Sequence, residues 1–387
     1  DRIYAEVDLG RIEENMKAMK EHLRPGTKMY GVVKTDAYGH GAVPVARTID
    51  RFVCGYAVAT VDEGLKLRRH GIEKEILCLG PVSAGRYQEC LENDISLPMF
   101  EYRRAKELSD AAVAEGKTAK IHIAVDTGMS RIGLFPDEGS VETVKEIAEL
   151  PALRIAGMFT HFARADEADK TKAGEQYRRF HAFCDAGKAA GVEVPVCHCS
   201  NSAGIVELPD FNMDAVRAGI TIYGLYPSDE VKQDIISLKP AMALKSFITY
   251  IKEIGRNEVS YGGTFKAEKT MRIATVSAGY GDGYPRNLSG KGEVLIHGKR
   301  AKILGRICMD QFMADLTGIP EAKEGDSVTL VGRDGNQEIT MEELAEISGG
   351  FHYEIPCLIG KRVPRRYVKN GKEVGGMMCR DEEYEGF

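Results

Sequence analysis

Residues 120–161 read KIHIAVDTGMSRIGLFPDEGSVETVKEIAELPALRIAGMFTH. An apolar run over 120–126 ends on Asp126, a helical pattern follows over Glu138–Leu150, and a second apolar run over 154–161 ends on His161. Strand, helix and strand in succession form the unit of a parallel sheet. Outward from this stretch the alternation continues. Runs at 29–34, 56–60, 75–80, 95–100, 194–200 and 213–220 bring the set to eight. Helical patterns lie between them, at Asp62–His70, Tyr102–Glu115 and Ala173–Ala190. Ahead of the first run, Ile12, Met16, Met19 and Leu23 recur at helical spacing with Asp8 as N-cap. Eight strands, each followed by a helix or loop, predict an α/β fold with a (β/α)8, TIM-like barrel at the N-terminus.

After about residue 235 the texture changes. Short alternating runs occupy 244–251, 271–276, 293–297, 301–307, 312–316 and 327–332. Turn signals separate them: Gly262-Gly263, Gly281-Asp282-Gly283, Ser289-Gly290-Lys291-Gly292 and Asp334-Gly335-Asn336. Thr340 and Glu343 form a capping box ahead of one helix. The reading is a barrel over 1–235 and a C-terminal mainly-β domain over 236–387, with Arg380–Phe387 as a frayed acidic end.

Composition excludes several classes. The chain has 387 residues, 43% of them hydrophobic and 28% charged, and a net charge of -6, which argues against nucleic-acid binding. No apolar run approaches the roughly 20 residues that span a bilayer. Asp1–Asn15 is charged throughout, with no signal-peptide core. It has no initiator Met, so the chain reads as trimmed or cut from something longer. Nine scattered cysteines without a CxxC pair read as reduced thiols, hence a cytoplasmic protein. Cys197-His198-Cys199 lacks the paired knuckle of a zinc site and reads as a buried strand end, so no metal is expected.

A barrel of this type places its active site at the C-terminal ends of the strands. The first run ends at Lys34 and the fifth at Asp126, leading to Arg131. The sixth ends at Thr160-His161 and the seventh at Ser200-Asn201-Ser202, while the eighth contains Arg217, followed by Gly219-Ile220. Taken singly, Lys34 is a loop lysine, His161 a core histidine, Arg217 a structural ion-pair partner, and Gly39, Gly41 and Gly219 turn residues. Together at one mouth they suit an anionic, phosphorylated cofactor with a reactive aldehyde. A lysine after the apolar Tyr30-Gly31-Val32-Val33 is partly desolvated, which frees its amine for Schiff-base formation. The residues alone do not select a reaction.

A resemblance does. Val33-Lys34-Thr35-Asp36-Ala37-Tyr38-Gly39-His40-Gly41 resembles the cofactor-lysine motif of the alanine racemases. Asp126-Thr127-Gly128-Met129-Ser130-Arg131-Ile132-Gly133, Thr160-His161-Phe162-Ala163-Arg164-Ala165-Asp166 and Ser200-Asn201-Ser202-Ala203 resemble the next three blocks. Ser260-Tyr261-Gly262-Gly263-Thr264-Phe265 is similar to the catalytic tyrosine motif. Gly279-Tyr280-Gly281-Asp282-Gly283-Tyr284-Pro285-Arg286 and Gly305-Arg306-Ile307-Cys308-Met309-Asp310-Gln311 are similar to the blocks of the β domain. All run in family order from about residue 3 to residue 366.

The resemblance implies a pyridoxal-phosphate-dependent racemase of alanine, acting through two bases on opposite faces of the substrate. Lys34 would hold the cofactor and serve as one base; Tyr261 would be the other. A tyrosine titrates near pH 10 unperturbed, so it needs help as a base. His161 resembles its hydrogen-bond partner. Arg217 resembles the residue behind both, and also the partner of the pyridine nitrogen. A permanent cation there keeps the ring a weak electron sink and disfavours transamination. Tyr38, Asn201, Ser202, Tyr353 and the amides of Gly219 and Ile220 belong to the cofactor-binding set by resemblance. Arg131, Tyr280, Met309 and Asp310 are the implied substrate contacts. The family forms a head-to-tail homodimer, so Tyr261, Tyr280, Met309 and Asp310 would serve Lys34 of the other chain. The product, D-alanine, implies cell-wall precursor supply.

The sequence departs from the family in places. Ala124 stands where many members carry a carbamylated lysine that braces Arg131, so the expectation is that a small anion or another side chain braces it here, or that Arg131 is held more loosely. Ser130 replaces a usual glycine and Thr35 a usual alanine, and Gly360-Lys361 is an unusual lead-in to the next block. The alternative is a serine or broad-specificity racemase of the same family, including the catalytic part of a membrane-fused enzyme. A decarboxylase of the same architecture and a non-enzymatic cofactor carrier rank lower. The first uses a cysteine motif opposite the lysine, and the second resembles the barrel alone.

Overall fold

The computed structural model describes residues 2–377, so the expected frayed end at Arg380–Phe387 lies outside the described residues. The chain divides into two compact units, one of residues 11–37 and 42–240, the other of residues 1–10, 38–41 and 241–387.

In the first unit eight parallel strands close into a barrel. In order they are Lys28–Val32, Gly55–Val58, Glu75–Cys78, Ile95–Met99, Ala119–Ala124, Leu153–Phe159, Cys197–His198 and Ala215–Ala218. Each overlaps one of the eight runs read from the sequence, and four of them begin one residue earlier, at Lys28, Gly55, Ala119 and Leu153. They read as apolar runs because parallel strands are covered on both faces. The last strand closes onto the first with Lys28 opposite Ala215 and Tyr30 opposite Arg217. Helices such as Val61–Arg69, Tyr102–Ala114, Glu138–Ala148 and Thr171–Ala189 lie between strands. In the helix Leu9–His22, Ile12, Met16 and Met19 are fully buried. Burying each is worth roughly 1.5–3 kcal/mol. Asn15, buried on the same helix, is fully used. It donates to the carbonyls of Ile222 and Lys239 at 3.1 and 3.0 Å and accepts from Lys239 N at 2.8 Å.

The second unit is built on the strand Met242–Ile254, whose register shifts between Ile248 and Tyr250. It pairs with both Met271–Val276 and Ser327–Asp334, which closes six strands into a ring. The six expected runs of this region each coincide with a strand. The strand Ile3–Asp8 was not anticipated, and it joins this unit rather than the barrel. It pairs antiparallel with residues 242–246 and parallel with 365–368. Its alternation is real, with Ile3, Ala5 and Val7 buried, but it is short and its outward residues are the mixed set Tyr4, Glu6 and Asp8. The reading of 1–235 as barrel therefore differs from the structure in its first ten residues and in 38–41, which belong to the second unit. Asp8 does cap the first helix, accepting from Gly10 N at 2.9 Å. Half of the capping box forms: Thr340 accepts from Glu343 N at 3.1 Å. The Glu343 carboxylate instead takes Arg300, with contacts of 2.5 and 3.0 Å.

Candidate active site

The mouth of the barrel begins where the first strand stops. Val33 N still bonds Ala57 O at 2.9 Å, and Lys34 follows, half-buried. The backbone then winds left-handed through four residues that are not glycine: Thr35, Asp36, Ala37 and Tyr38 have φ of 53, 50, 56 and 52°. Such a turn costs roughly 1–2 kcal/mol per residue and persists only where its surroundings enforce it. Here Glu63 accepts from Thr35 N at 2.5 Å. Asp36 bonds Lys66 at 2.7 Å and Ala42 N at 3.0 Å. Nothing in the sequence announced this conformation.

The loop after the fifth strand is organised by Asp126, which accepts from Gly128 N and Ser130 N at 3.0 and 2.9 Å. Gly133 must be glycine, because a Cβ there would lie 2.5 Å from Asp126 N. The serine at 130 takes φ of +56°, which explains why glycine suits that position better. Arg131 is exposed and makes no hydrogen bond or ion pair with another described residue, so no neighbouring carboxylate braces it. Ala124 is buried at the end of its strand. Sequence reasoning missed Gln176, a buried residue that ties two blocks together. Its amide donates to Thr127 Oγ1 at 3.2 Å and to His161 O at 3.0 Å, and accepts from Ala163 N at 2.8 Å. A lone glutamine on a helix carries no motif that would have revealed it.

Arg217 is 3% exposed and its guanidinium is held from several sides. Nη1 donates to His198 Nδ1 at 2.7 Å and His198 O at 3.1 Å. Nη2 donates to Thr160 O at 2.8 Å, Cys199 O at 3.0 Å and His161 Nδ1 at 3.3 Å. Burial draws its pKa down to about 10, which leaves it cationic at neutral pH. Burial first, and then the charges of Arg217, Arg131 and Lys34, push His161 well below the ordinary histidine range. Burial and Arg217 do the same to His198. Both imidazoles are therefore neutral at pH 7.

These two histidines set a pH dependence. In the unfolded chain an imidazole gains its proton near pH 6.5, and in the fold these two do not. Their contribution is complete above that pH and is lost as the pH falls below it, by about 1.4 kcal/mol per pH unit for each. Urea unfolding midpoints are expected to drop between pH 7 and pH 5. A midpoint that rose on acidification would contradict neutral imidazoles.

Next along the mouth, Asn201 caps the helix Ser202–Glu207 by accepting from Gly204 N at 3.1 Å. Ser202 Oγ accepts from Gly219 N at 3.0 Å and meets Thr221 Oγ1 at 3.0 Å. Ile220 opens the short turn Ile220–Tyr223 beside them. The cluster is rich in donors, with hydroxyls and amides and no carboxylate among its bonds.

The remaining predicted residues belong to the second unit. Tyr38 and Tyr353 lie with ring centroids 6.3 Å apart, and burial raises the Tyr38 pKa, keeping its phenol protonated. Tyr261 sits in a turn in which Ser260, Gly262 and Gly263 take φ of 66, 68 and 54°, and it is 66% exposed. Ser260 Oγ meets Cys308 Sγ at 3.7 Å. Hydrogen bonds of 3.1 Å from Tyr280 N to Cys308 O and 2.8 Å from Gly281 N to Met309 O bring these segments together. Tyr280 and Met309 are exposed as well. Asp310 bonds Arg362 at 2.7 Å, and the buried Asp282 takes Arg362 at 2.8 Å and Arg2 at 2.6 Å. The structure thus sorts the predicted residues into two sets. Lys34, Arg131, His161, Asn201, Ser202, Arg217, Gly219 and Ile220 are in the barrel unit. Tyr38, Tyr261, Tyr280, Met309, Asp310 and Tyr353 are in the β unit. Cys197-His198 is a buried strand, and no cluster among the described residues could hold a metal ion. No helix among them is long and apolar enough to cross a membrane.

The chain matches the family model of the alanine racemase N-terminal domain over residues 7–227 and that of the C-terminal domain over 241–367. These two matches, one on the barrel and one on the β unit, define an isomerase of the amino-acid racemase class. An alanine racemase of Clostridium perfringens is 44% identical over 374 residues, which cover 96% of this chain and 97% of that one. The solved alanine racemase of Clostridium difficile 630 has a TM-score of 0.94 and 38% identity, with 98% of each chain covered. The alanine racemase of Bacillus anthracis, solved with bound L-Ala-P, has a TM-score of 0.91 and 38% identity, with 97% of each chain covered. The chain belongs to the alanine racemase family.

Proposed function

We propose that this protein interconverts L- and D-alanine with pyridoxal 5'-phosphate, as a homodimer with shared sites in the cytoplasm. The observation that carries the reading is Arg217. Its two terminal nitrogens are committed, and its Nε–H is the donor left over among the described residues. That donor fits a pyridine nitrogen, and a guanidinium does not surrender a proton to it. The donor cluster of Ser202, Gly219 and Thr221 fits a phosphate, with Asn201 holding the helix beside it and Ile220 and the phenols of Tyr38 and Tyr353 extending the set. When bound, the cofactor supplies an electron-withdrawing ring conjugated to the substrate amine, which acidifies the Cα–H.

The chain's own groups do the rest. Lys34 would hold the cofactor through its amine, and the same amine would move the proton at Cα on one face. Tyr261 Oη moves the proton on the opposite face, and neutral His161, whose Nδ1 accepts from Arg217 and whose Nε2 therefore carries the proton, is the donor suited to the phenolate form of that oxygen. Arg131 pairs with the substrate carboxylate, with Met309 and Asp310 bounding the same end and Tyr280 the side. Arg131 takes no ion-pair partner among the described residues, so no side chain braces it in place of the lysine absent at Ala124. The exposure of Tyr261, Tyr280 and Met309 supports their serving a second copy of the chain, since large apolar groups exposed together mark contact surfaces. The scattered cysteines suit a reducing compartment.

Racemisation of alanine and serine should be measured in parallel on the cofactor-loaded protein. Alanine is expected to turn over roughly 10–100-fold faster, the usual discrimination a small pocket achieves against one added hydroxyl. Equal or faster turnover of serine would move the protein to a serine or broad-range racemase.

A further inference from the structure

Arg217 is a buried cation with no carboxylate beside it. Among the described residues it meets three backbone carbonyls and two imidazoles. Burying an uncompensated charge is costly, so the compensation must come from further away. A guanidinium has five donors and no acceptor. His198 Nδ1, 2.7 Å from Nη1, therefore accepts, and the proton of His198 sits on Nε2. That nitrogen lies 3.0 Å from His122 Nδ1, which must accept in its turn. The proton of His122 is then on Nε2, 3.2 Å from Glu75 Oε1. Both tautomers follow from the one group that cannot accept.

Glu75 ends the chain as an ionised carboxylate. It also accepts from Tyr30 Oη at 2.7 Å and Ser96 Oγ at 2.8 Å. Burial pushes its pKa up, but the bonds from His122, Tyr30 and Ser96 outweigh that and hold it at about 2. The rings are clamped. Phe159 stacks on His198 at 5.4 Å and 16°, and Tyr30 lies 5.3 Å from the same ring. Glu75 is the first residue of its strand, at the N-terminal end of the barrel. It borders a cavity of about 640 Å3 shared with Lys120, Arg154 and Pro195. Arg217 faces the other end. The four residues come from four strands and cross the barrel core.

We propose that Glu75 is a positioning residue for Arg217. Through the aligned imidazoles of His122 and His198, its carboxylate compensates the guanidinium from the opposite end of the barrel and sets how firmly that cation faces the cofactor ring. Each N–H points toward Glu75 and each lone pair toward Arg217, so the dipoles add, and chains of this kind strengthen one another in a low-dielectric core. A proton on either imidazole would remove an acceptor and break the line. The inference rests on the reading of Arg217 as the partner of the pyridine nitrogen.

The test uses the full-length holoenzyme. Glu75→Gln keeps the shape and an acceptor oxygen but removes the charge. The measured quantities are the absorption maximum of bound pyridoxal phosphate, its dissociation constant, and kcat and KM separately. The expected result is a displaced maximum, cofactor binding or kcat weakened by about 10-fold, an unchanged KM, and recovery toward wild type in Glu75→Asp. An unmoved spectrum, dissociation constant and kcat, with only a lower melting temperature, would overturn the proposal and leave Glu75 a structural group. Should Glu75→Gln fail to fold, His122→Gln breaks the line one link further in and is read in the same way. Arg217→Lys serves as the control. If it moves the spectrum while Glu75→Gln does not, only the relay fails. If Arg217→Lys is itself silent, the ring-partner reading falls and this inference with it.

Discussion

Lys34→Ala is expected to abolish racemisation, with a loss of at least about 10^4-fold, the upper range for one acid–base group. Two roles vanish together. The amine that anchors the cofactor is gone, and so is the base that works on one face of Cα. The position is what makes the residue suited to both. Lys34 follows directly on a strand whose ladder is continued by Val33 N to Ala57 O at 2.9 Å. A left-handed turn held by Glu63 and Lys66 locks the backbone beyond it. The lysine thus leaves a rigid frame, and pre-organisation of this kind is what positions a reacting group. The variant should fold, because the Thr35 amide and the Asp36 carboxylate still hold the turn through Glu63 and Lys66. Assay with a coupled D-alanine oxidation, alongside the spectrum of the added cofactor, checks the result. Residual activity above about 1% of wild type would remove Lys34 from its assigned role.

Tyr261→Phe is expected to cost about 10^2–10^4-fold in racemisation and almost nothing in stability. The side chain is 66% exposed within its own chain, so deleting one hydroxyl disturbs no core. The signature is asymmetric. With one base gone, exchange of the Cα hydrogen with deuterated solvent should persist for one antipode, served by Lys34, while conversion to the other is lost. Proton NMR of each antipode in deuterated water reads both rates. Equal loss of exchange from both antipodes, or racemisation at the wild-type rate, would contradict a two-base arrangement. The residue depends on neighbours for its chemistry. His161 is kept neutral by burial and by the charges of Arg217, Arg131 and Lys34, and with its Nδ1 accepting from Arg217 its Nε2–H is left to donate to the phenolate oxygen.

Much of this was legible before any coordinates. The eight barrel strands were visible because each is a short apolar run covered on both faces, and their C-terminal ends pointed to Lys34, Asp126, His161, Ser202 and Arg217 without any family in view. Tyr261, Tyr280 and Met309 were not legible in that way. A tyrosine before two glycines reads as a turn residue, and only the resemblance gave it a role. Ile3–Asp8 was missed because its strand partners lie more than 230 residues away, and its six residues are too few for the alternation to stand out.

The order of apolar runs, turn signals and motifs along the chain was enough to determine the architecture and the family, because period and punctuation are local properties. Three features belong to the tertiary structure alone. Thr35–Tyr38 turn left-handed without a glycine because Glu63 and Lys66, brought in by another helix, outweigh the intrinsic cost of that turn. Ser130 adopts a positive φ because Asp126 accepts from its amide. Glu75, His122, His198 and Arg217 form one line only because closure of the barrel turns side chains from four of its strands, most of them not neighbours, into one core. No spacing along the chain encodes which of their buried nitrogens must give and which must accept; that is decided by desolvation, which obliges each polar group inside the barrel to find the partner the fold puts within reach.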